Sequence, residues 1–282
     1  MTLLFLIAVG AAILTWSSLR FGVRPGAVDL LLSGLAGFCA VIAVGATYRA
    51  TQRLPMHLAP WALGFREEGA KLLAWLIVFG RDFRRRMPPA RRLNGLVAIA
   101  ATFGLCEVAE HVSGNASPGL YAWAVLLRAL IAPLHVWFSL CEVACLEFAR
   151  GDRRWLAALP LPALLHDEFD SVAGLSGLGP QAQIFALALI IIVIGLVALW
   201  LSDRLVRPVR RSARSCGVGL ACALIPVLVI AGQAGWLPGQ GKLFPLRPSA
   251  AVAPITASWA VMALDLLRER RARAQWVGTA GA

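Results

Sequence analysis

The sequence PWALGFREEGAKLLAWL (residues 60–76) places two adjacent carboxylates and a lysine inside an apolar run that is long enough to cross a bilayer. A charged side chain at membrane depth costs at least ~2.5–3.5 kcal/mol, so such residues usually face a protein interior or a water-filled cavity. On a helix Lys71 lies four residues after Glu67 and three after Glu68, so it can offset the charge of either. The stretch therefore predicts a membrane helix that turns these charges towards other helices.

The composition is that of a membrane protein. Of the 282 residues, 59% are hydrophobic and 15% are charged, and the mean hydropathy is +0.72. The formal net charge is +12, but the arginines lie in short loops between apolar runs, which is typical of a topology signal. We therefore expect a lipid bilayer as the surroundings and no nucleic-acid partner. The six cysteines form no CxxC pair, and we interpret them as reduced packing residues.

Apolar runs of about 20 residues predict about nine transmembrane helices. We expect an all-α polytopic membrane protein, a single transmembrane domain over residues 1–282, whose helices surround a central polar chamber. Residues 1–18 lack a positively charged start and a cleavage site, so we interpret them as a retained span. The predicted spans are 1–19, 26–48, 60–80, 94–112, 119–148, 154–173, 182–202, 216–236 and 249–267.

The arginines also predict the orientation. When alternate loops are assigned to alternate sides, most of the 27 Lys and Arg residues fall on one side. The positive side of a membrane protein is normally cytoplasmic. We therefore expect the N-terminus outside, the C-terminus inside, and residues 268–282 as a cytoplasmic basic tail.

The ionisable residues within the spans are concentrated in the third to sixth. We expect residues 60–174 to form a polar core and residues 1–50 and 182–267 to form an apolar scaffold, because lipid cannot solvate these side chains. Pro133 is expected to kink the fifth helix just before His135. His166 and Asp170 are four apart on one helical face, so Asp170 could fix the imidazole tautomer. The charged or titratable residues of the core are Glu67, Glu68, Lys71, Glu107, Glu110, His111, Arg128, His135, Glu142, His166, Asp167, Glu168 and Asp170.

Carboxylates and neutral imidazoles are the groups with which proteins activate water, either directly or on Zn²⁺. The span boundaries place these residues between the outer end and the centre of the membrane. Such a set suits hydrolysis of a peptide bond near a membrane surface.

The residues resemble the PrsW family of intramembrane proteases, which are related to the CAAX prenyl endopeptidases. That family has EExxK, FxxxE and HxxxD on successive helices, with a further histidine before the last motif. Here the corresponding segments are 67–71, Phe103 to Glu107, and His166 to Asp170, with His135 between the last two. The resemblance covers roughly residues 60–174. Val108 stands where the family often has Asn, and Ser139 where Gly is common.

The resemblance implies an activity and roles for these residues. The enzyme would be a glutamate-type or metallo-endopeptidase of a bacterial inner membrane, cutting a membrane-anchored protein such as an anti-sigma factor near the outer face. One glutamate of the Glu67/Glu68 pair would act as general base, and Asp170 would orient His166. The implied catalytic residues are Glu67, Glu68, Lys71 and Asp170, and the implied ligands of a metal such as Zn²⁺ are Glu107, His135 and His166.

Two other functions also suit intramembrane Glu, Lys and His. A proton- or cation-coupled transporter uses them as relays and ion sites, but it should show inverted repeats, whereas the polar residues here form one block. A catalytically idle scaffold or immunity protein could keep an ancestral polar core, although the motifs are intact.

Overall fold

The computed structural model describes residues 2–23, 25–51, 59–111, 131–174, 180–206 and 255–268, and its regular elements there are all helical. This agrees with the predicted all-α class. The α-helices are α1 Thr2–Phe21, α2 Ala27–Thr51, α3 Ala59–Arg84, α4 Pro89–His111, α5 Ala132–Ala149, α6 Leu161–Gly174, α7 Pro180–Leu205 and α8 255–268, and a 3₁₀ helix covers Arg153–Ala158.

Four of the described helices are long and apolar enough to cross a membrane, which makes the chain a membrane protein. They contain the segments Leu4–Phe21, Ala27–Thr47, Ala132–Ala149 and Phe185–Leu205. Helix α3 has 26 residues, more than the ~20 that a span needs, but the charges at 66–71 reduce its apolar character. The predicted span 216–236 and parts of the spans 119–148 and 249–267 lie outside the described residues.

The fifth predicted span differs from expectation at Pro133. Helix α5 begins at Ala132, with the proline in its first turn, and the Leu134 amide donates to the Ile131 carbonyl at 2.8 Å. Proline suits this position because the first amides of a helix have no intrahelical acceptor. In the described residues Pro133 thus lies at a helix start and His135 in the first turn of α5, while residues 112–130, on the other side of the predicted kink, lie outside the described part.

The sixth predicted span, 154–173, is not one continuous helix. The 3₁₀ helix is capped by Asp152, whose side chain accepts from the Arg154 amide, and α6 begins only at Leu161, between Pro160 and Pro162. The 14 residues of α6 extend about 21 Å, less than the ~30 Å of the hydrocarbon layer. This helix enters the bundle without crossing a full membrane thickness.

Helices α4 and α5 occupy the centre of the bundle. Helix α4 packs against α1, α2, α3 and α5, and α5 packs against α3, α4, α6 and α7. Most side chains of α5 are buried, and Trp137 stacks edge-on against Trp16 with ring centroids 5.1 Å apart. In contrast, α2 and α7 expose large apolar side chains such as Leu31, Phe38 and Phe185. Those faces suit contact with lipid.

The scaffold helices carry one buried charge network at their ends. Arg20 on α1 donates to Asp265 on α8 at 2.5 Å and to Ser202 on α7 at 3.1 Å, and it also pairs with Asp203. The indole of Trp16 donates to the other Asp265 oxygen at 3.1 Å. The expectation that the scaffold lacks charges away from helix ends agrees with this position, but the ends themselves are joined by ions.

Candidate functional site

Glu68 lies at the centre of a polar cluster that four helices form. Its Oε1 atom accepts from Lys71 Nζ at 2.5 Å, and His166 Nδ1 lies 2.7 Å from the same oxygen. Its Oε2 atom accepts from the Ser139 hydroxyl at 3.0 Å. All four side chains are buried. Both oxygens of Glu68 are therefore occupied, and this carboxylate ties α3 to α5 and α6.

The contacts of His135 fix its tautomer. Nδ1 lies 3.2 Å from Lys71 Nζ, and an ammonium group can only donate, so Nδ1 accepts. The ring proton of a neutral imidazole then resides on Nε2, which lies 2.9 Å from Oε2 of Glu107. Glu107 is half-buried, with 20% of its side chain exposed. His135 thus joins the buried lysine to a carboxylate near the exterior.

Glu67 differs from its neighbour Glu68 in its partners. The side chain is 7% exposed, and its Oε2 atom lies 3.8 Å from His166 Nε2, which is beyond hydrogen-bond distance. Within the described part of the chain this buried oxygen has no hydrogen-bond partner. A buried carboxylate oxygen without a donor can accept a proton or a water molecule, whereas each oxygen of Glu68 already accepts at least one hydrogen bond.

Two glycines let the helices of the site approach closely. A Cβ atom at Gly104 would lie 2.6 Å from Cδ2 of His135, and one at Gly64 would lie 2.4 Å from the carbonyl oxygen of Ala163. The Gly64 amide also donates to Asp167 at 2.6 Å. Because no larger residue fits without movement, these contacts set the positions of His135 and of the helix that carries His166.

Aromatic rings pack around the two histidines. Phe138 stacks on His166, with centroids 4.6 Å apart and planes 6° from parallel. The rings of Phe103 and His135 have centroids 5.4 Å apart, and Lys71 Nζ lies 4.8 Å from the centroid of the Phe103 ring. The two imidazoles are themselves 5.4 Å apart. Such packing restricts the rotamers of the histidines, so their nitrogen atoms keep fixed directions.

The cluster brings together most of the site residues that the sequence predicts. Glu68, Lys71, His135 and His166 are joined by the contacts given above, with Glu67 and Glu107 at the edge. Asp170 is half-buried, and its orienting role stays a prediction, since His166 Nδ1 faces Glu68. Arg128 lies outside the described residues.

Three neighbours of the site were not predicted from the sequence. Ser139, noted only as a departure from the family pattern, lies one helical turn after His135 and binds Glu68, and that spacing could have revealed it. Asp167, which the sequence places in the polar core without a role, accepts from the Gly64 amide on α3. The sequence does not indicate that Phe138 belongs to the site, because an aromatic residue in an apolar helix suggests only packing.

The donor atoms that could meet at one metal ion differ from the predicted set. Oxygen and nitrogen atoms of Glu67, His135 and His166 lie within 4.8 Å of one another, with Glu67 in place of Glu107. Zinc accepts a Glu/His/His set, but its ligand atoms would lie about 3.3 Å apart in a tetrahedral site. Both ring nitrogens of His135 already have partners, Lys71 and Glu107. As arranged, the cluster does not fit a three-ligand zinc site.

Comparison with known proteins adds no relative: no family model, no curated protein and no solved structure matches this chain.

Proposed function

We propose that the protein is an intramembrane endopeptidase that hydrolyses a peptide bond of a membrane-anchored protein. The observation that supports this most is the buried Glu67 oxygen, which lacks a donor among the described residues and faces His166. Burial of a titratable carboxylate beside an imidazole is common at catalytic sites. The resemblance to the PrsW family supports the same reaction class.

The hydrogen bonds give the two adjacent glutamates different roles. Glu67 is the candidate base, because a general base needs an oxygen within reach of the reacting water. Glu68 is a positioning residue: it holds Lys71, Ser139 and His166, so three of its roughly four lone-pair sites are already used. Lys71 neutralises the charge of Glu68 and, through His135, is linked to Glu107.

In the proposed reaction Glu67 takes a proton from water as the water oxygen attacks the carbonyl carbon of the peptide. It then gives that proton to the departing amine nitrogen as the C–N bond breaks, which restores the carboxylate. His166, held through Nδ1 by Glu68 with Nε2 towards Glu67, orients the water. No step requires a metal ion, in keeping with the occupied nitrogens of His135.

The remaining expectations belong to this proposal. The chain would have about nine membrane helices around a polar chamber, with its N-terminus outside a bacterial inner membrane. The substrate, for which an anti-sigma factor is the family's example, would reach the cluster from the side of Glu107 and Asp170. These two are the half-buried members of the site.

The test is cleavage of a library of membrane-anchored peptides by the purified chain in liposomes. We expect Glu67→Gln to lower the cleavage rate by ~10²-fold or more, the usual contribution of a general base. Glu142→Gln is the matched control, since Glu142 is another buried carboxylate with an oxygen that lacks a partner in the described structure. Cleavage by Glu67→Gln at the wild-type rate would contradict the proposal, and proton flux coupled to a solute, without cleavage, would favour the transporter.

A further inference from the structure

Six arginines at one end of the bundle are exposed and have no ion-pair partner within the described residues. They lie at the end of α3 and in the 3₁₀ helix. They are Arg81, Arg84, Arg85, Arg86, Arg153 and Arg154. We call this set the arginine surface.

Other arginines at helix ends behave differently. Arg91 forms a two-pronged contact with Asp29, at 2.7 Å from each oxygen, and reaches Asp82 at 3.0 Å. Arg92 is buried and binds Glu147 at 2.6 Å. The fold therefore neutralises arginines where they contribute to packing. The arginine surface keeps its full charge. Orientation of the chain in the membrane does not explain this, because a loop rich in arginine can orient the chain whether or not its arginines are paired.

The two segments of the arginine surface are both anchored to the end of α5. Arg150, which ends α5, donates to the Phe83 carbonyl at 2.5 Å, and its guanidinium lies 4.6 Å above the Phe83 ring. Trp155 of the 3₁₀ helix stacks on Phe148 of α5 with centroids 4.8 Å apart. The last turn of α3 and the 3₁₀ helix are thus both fixed to the end of α5, so their arginines lie at the same end of the bundle.

The backbone at Arg86 adds an independent observation. Arg86 has φ 56°, the left-handed conformation. Its amide donates to Phe83 and the Met87 amide donates to Asp82, both at 3.1 Å, which is the helix-ending motif that normally uses glycine. A side chain at this position is disfavoured relative to glycine, because its Cβ atom crowds the following carbonyl oxygen. Strain of this kind often marks a residue whose side chain has a function.

Apolar side chains flank the charges. Leu156 is 48% exposed and Met87 is 47% exposed, and Trp155 is half-buried beside Arg154. Tryptophan and arginine close to exposed apolar groups are typical of the membrane–water interface, where the ring lies at headgroup depth and the guanidinium contacts phosphate.

We propose that the arginine surface binds the headgroups of anionic phospholipids in the adjoining leaflet. Charge complementarity selects a phosphodiester ligand, because arginine forms paired hydrogen bonds with phosphate. The apolar flank selects a lipid over a soluble anion, since Leu156 and Met87 would contact acyl chains. This site is separate from the polar cluster and does not depend on the proposed proteolysis.

The experiment titrates the full chain in neutral detergent with short-chain phosphatidylglycerol or phosphatidylcholine and measures the dissociation constants. We expect phosphatidylglycerol to bind at least tenfold more tightly. The double variant Arg85→Gln/Arg86→Gln should lose about 25-fold, since each arginine near an anionic surface contributes roughly fivefold. Arg85→Lys/Arg86→Lys should bind more weakly than wild type but more tightly than the Gln double variant, because the charge remains while the paired hydrogen bonds to phosphate are lost.

The matched control is Arg204→Gln/Arg268→Gln, which removes two other exposed arginines from the same end of the bundle. We expect it to bind within threefold of wild type. Equal affinity for the two lipids would overturn the proposal. Equal losses in the two Gln double variants would overturn it as well, because the attraction would then be diffuse, and tighter binding of a polyglutamate peptide would assign the surface to an acidic protein segment instead.

Discussion

Nζ of Lys71 lies 2.5 Å from Oε1 of Glu68, and neither side chain is accessible to solvent. A buried ion pair gives little net stability, but loss of one partner leaves an unpaired charge in a medium that cannot solvate it. Glu68 also receives hydrogen bonds from α5 and α6. The pair therefore connects the stability of the bundle directly to the geometry of the candidate site.

Glu68→Gln should lower the free energy of unfolding by about 3–5 kcal/mol, because Lys71 would remain buried and charged while the amide oxygen could still accept hydrogen bonds. Glu67→Gln should change it by about 1 kcal/mol or less, since its Oε2 atom has no partner in the described structure. Unfolding by SDS titration in detergent micelles measures both values.

The double variant Glu68→Gln/Lys71→Met controls for the charge itself. It removes both ions, so we expect it to recover about 2 kcal/mol or more of the loss in Glu68→Gln. If the two substitutions were simply additive, the close contact would not be an energetic coupling, and the positioning role of Glu68 would lose its support.

Gly64→Ala should destabilise the bundle by about 1–3 kcal/mol, because a Cβ atom 2.4 Å from the Ala163 carbonyl forces α6 away from α3. The same shift moves His166, so cleavage should also fall. Gly69→Ala on the same helix is the control: its Cβ would meet no atom within 4 Å, and alanine favours a helix over glycine by ~1 kcal/mol. Equal stability of the two variants would show that α6 is free to shift.

The sequence predicts an all-α membrane protein, and it predicts that charges within spans meet, because a membrane excludes unpaired charge. The sequence does not show which of Glu67 and Glu68 pairs with Lys71, because Lys71 is within reach of either glutamate on a helix. In the structure Glu68 is the glutamate that Ser139 and His166 contact from other helices. Such contacts depend on how helices pack, which spacing along one helix does not encode.

The uncertainty of sequence-based interpretation at the prolines has a similar origin. A proline in an apolar run can kink a helix or begin one, and the flanking sequence is equally apolar in the two cases. At Pro133 the helix begins. At Pro160 and Pro162 a run long enough to be counted as one span divides into a 3₁₀ helix and the short α6.

Arg20→Gln should lower the free energy of unfolding by about 3–5 kcal/mol, since the buried Asp265 would lose the guanidinium that lies 2.5 Å from its oxygen. The result would also show that α8 is held to α1 and α7 by ions. Arg268→Gln is the control, because Arg268 is 79% exposed and lies 3.6 Å from Asp203; exposed pairs contribute ~1 kcal/mol or less. Similar losses in the two variants would contradict the buried network.

Chelators should leave the proposed cleavage unchanged, because the nitrogens of His135 are engaged by Lys71 and Glu107. The measurement is the cleavage rate in liposomes after treatment with EDTA and with 1,10-phenanthroline. Loss of activity that added Zn²⁺ restores would show that His135 leaves these partners, and the metal set Glu67, His135 and His166 would then apply.

Arg86→Gly should stabilise the protein while weakening its binding to anionic lipid. Glycine removes the cost of the left-handed backbone, so the free energy of unfolding in neutral detergent should rise by about 1 kcal/mol. Loss of one guanidinium should weaken phosphatidylglycerol binding about fivefold. Arg85→Gly is the control for the charge, since it lowers binding similarly but relieves no strain. If Arg86→Gly gained stability and kept its affinity for lipid, the strain at this position would have no connection with the arginine surface.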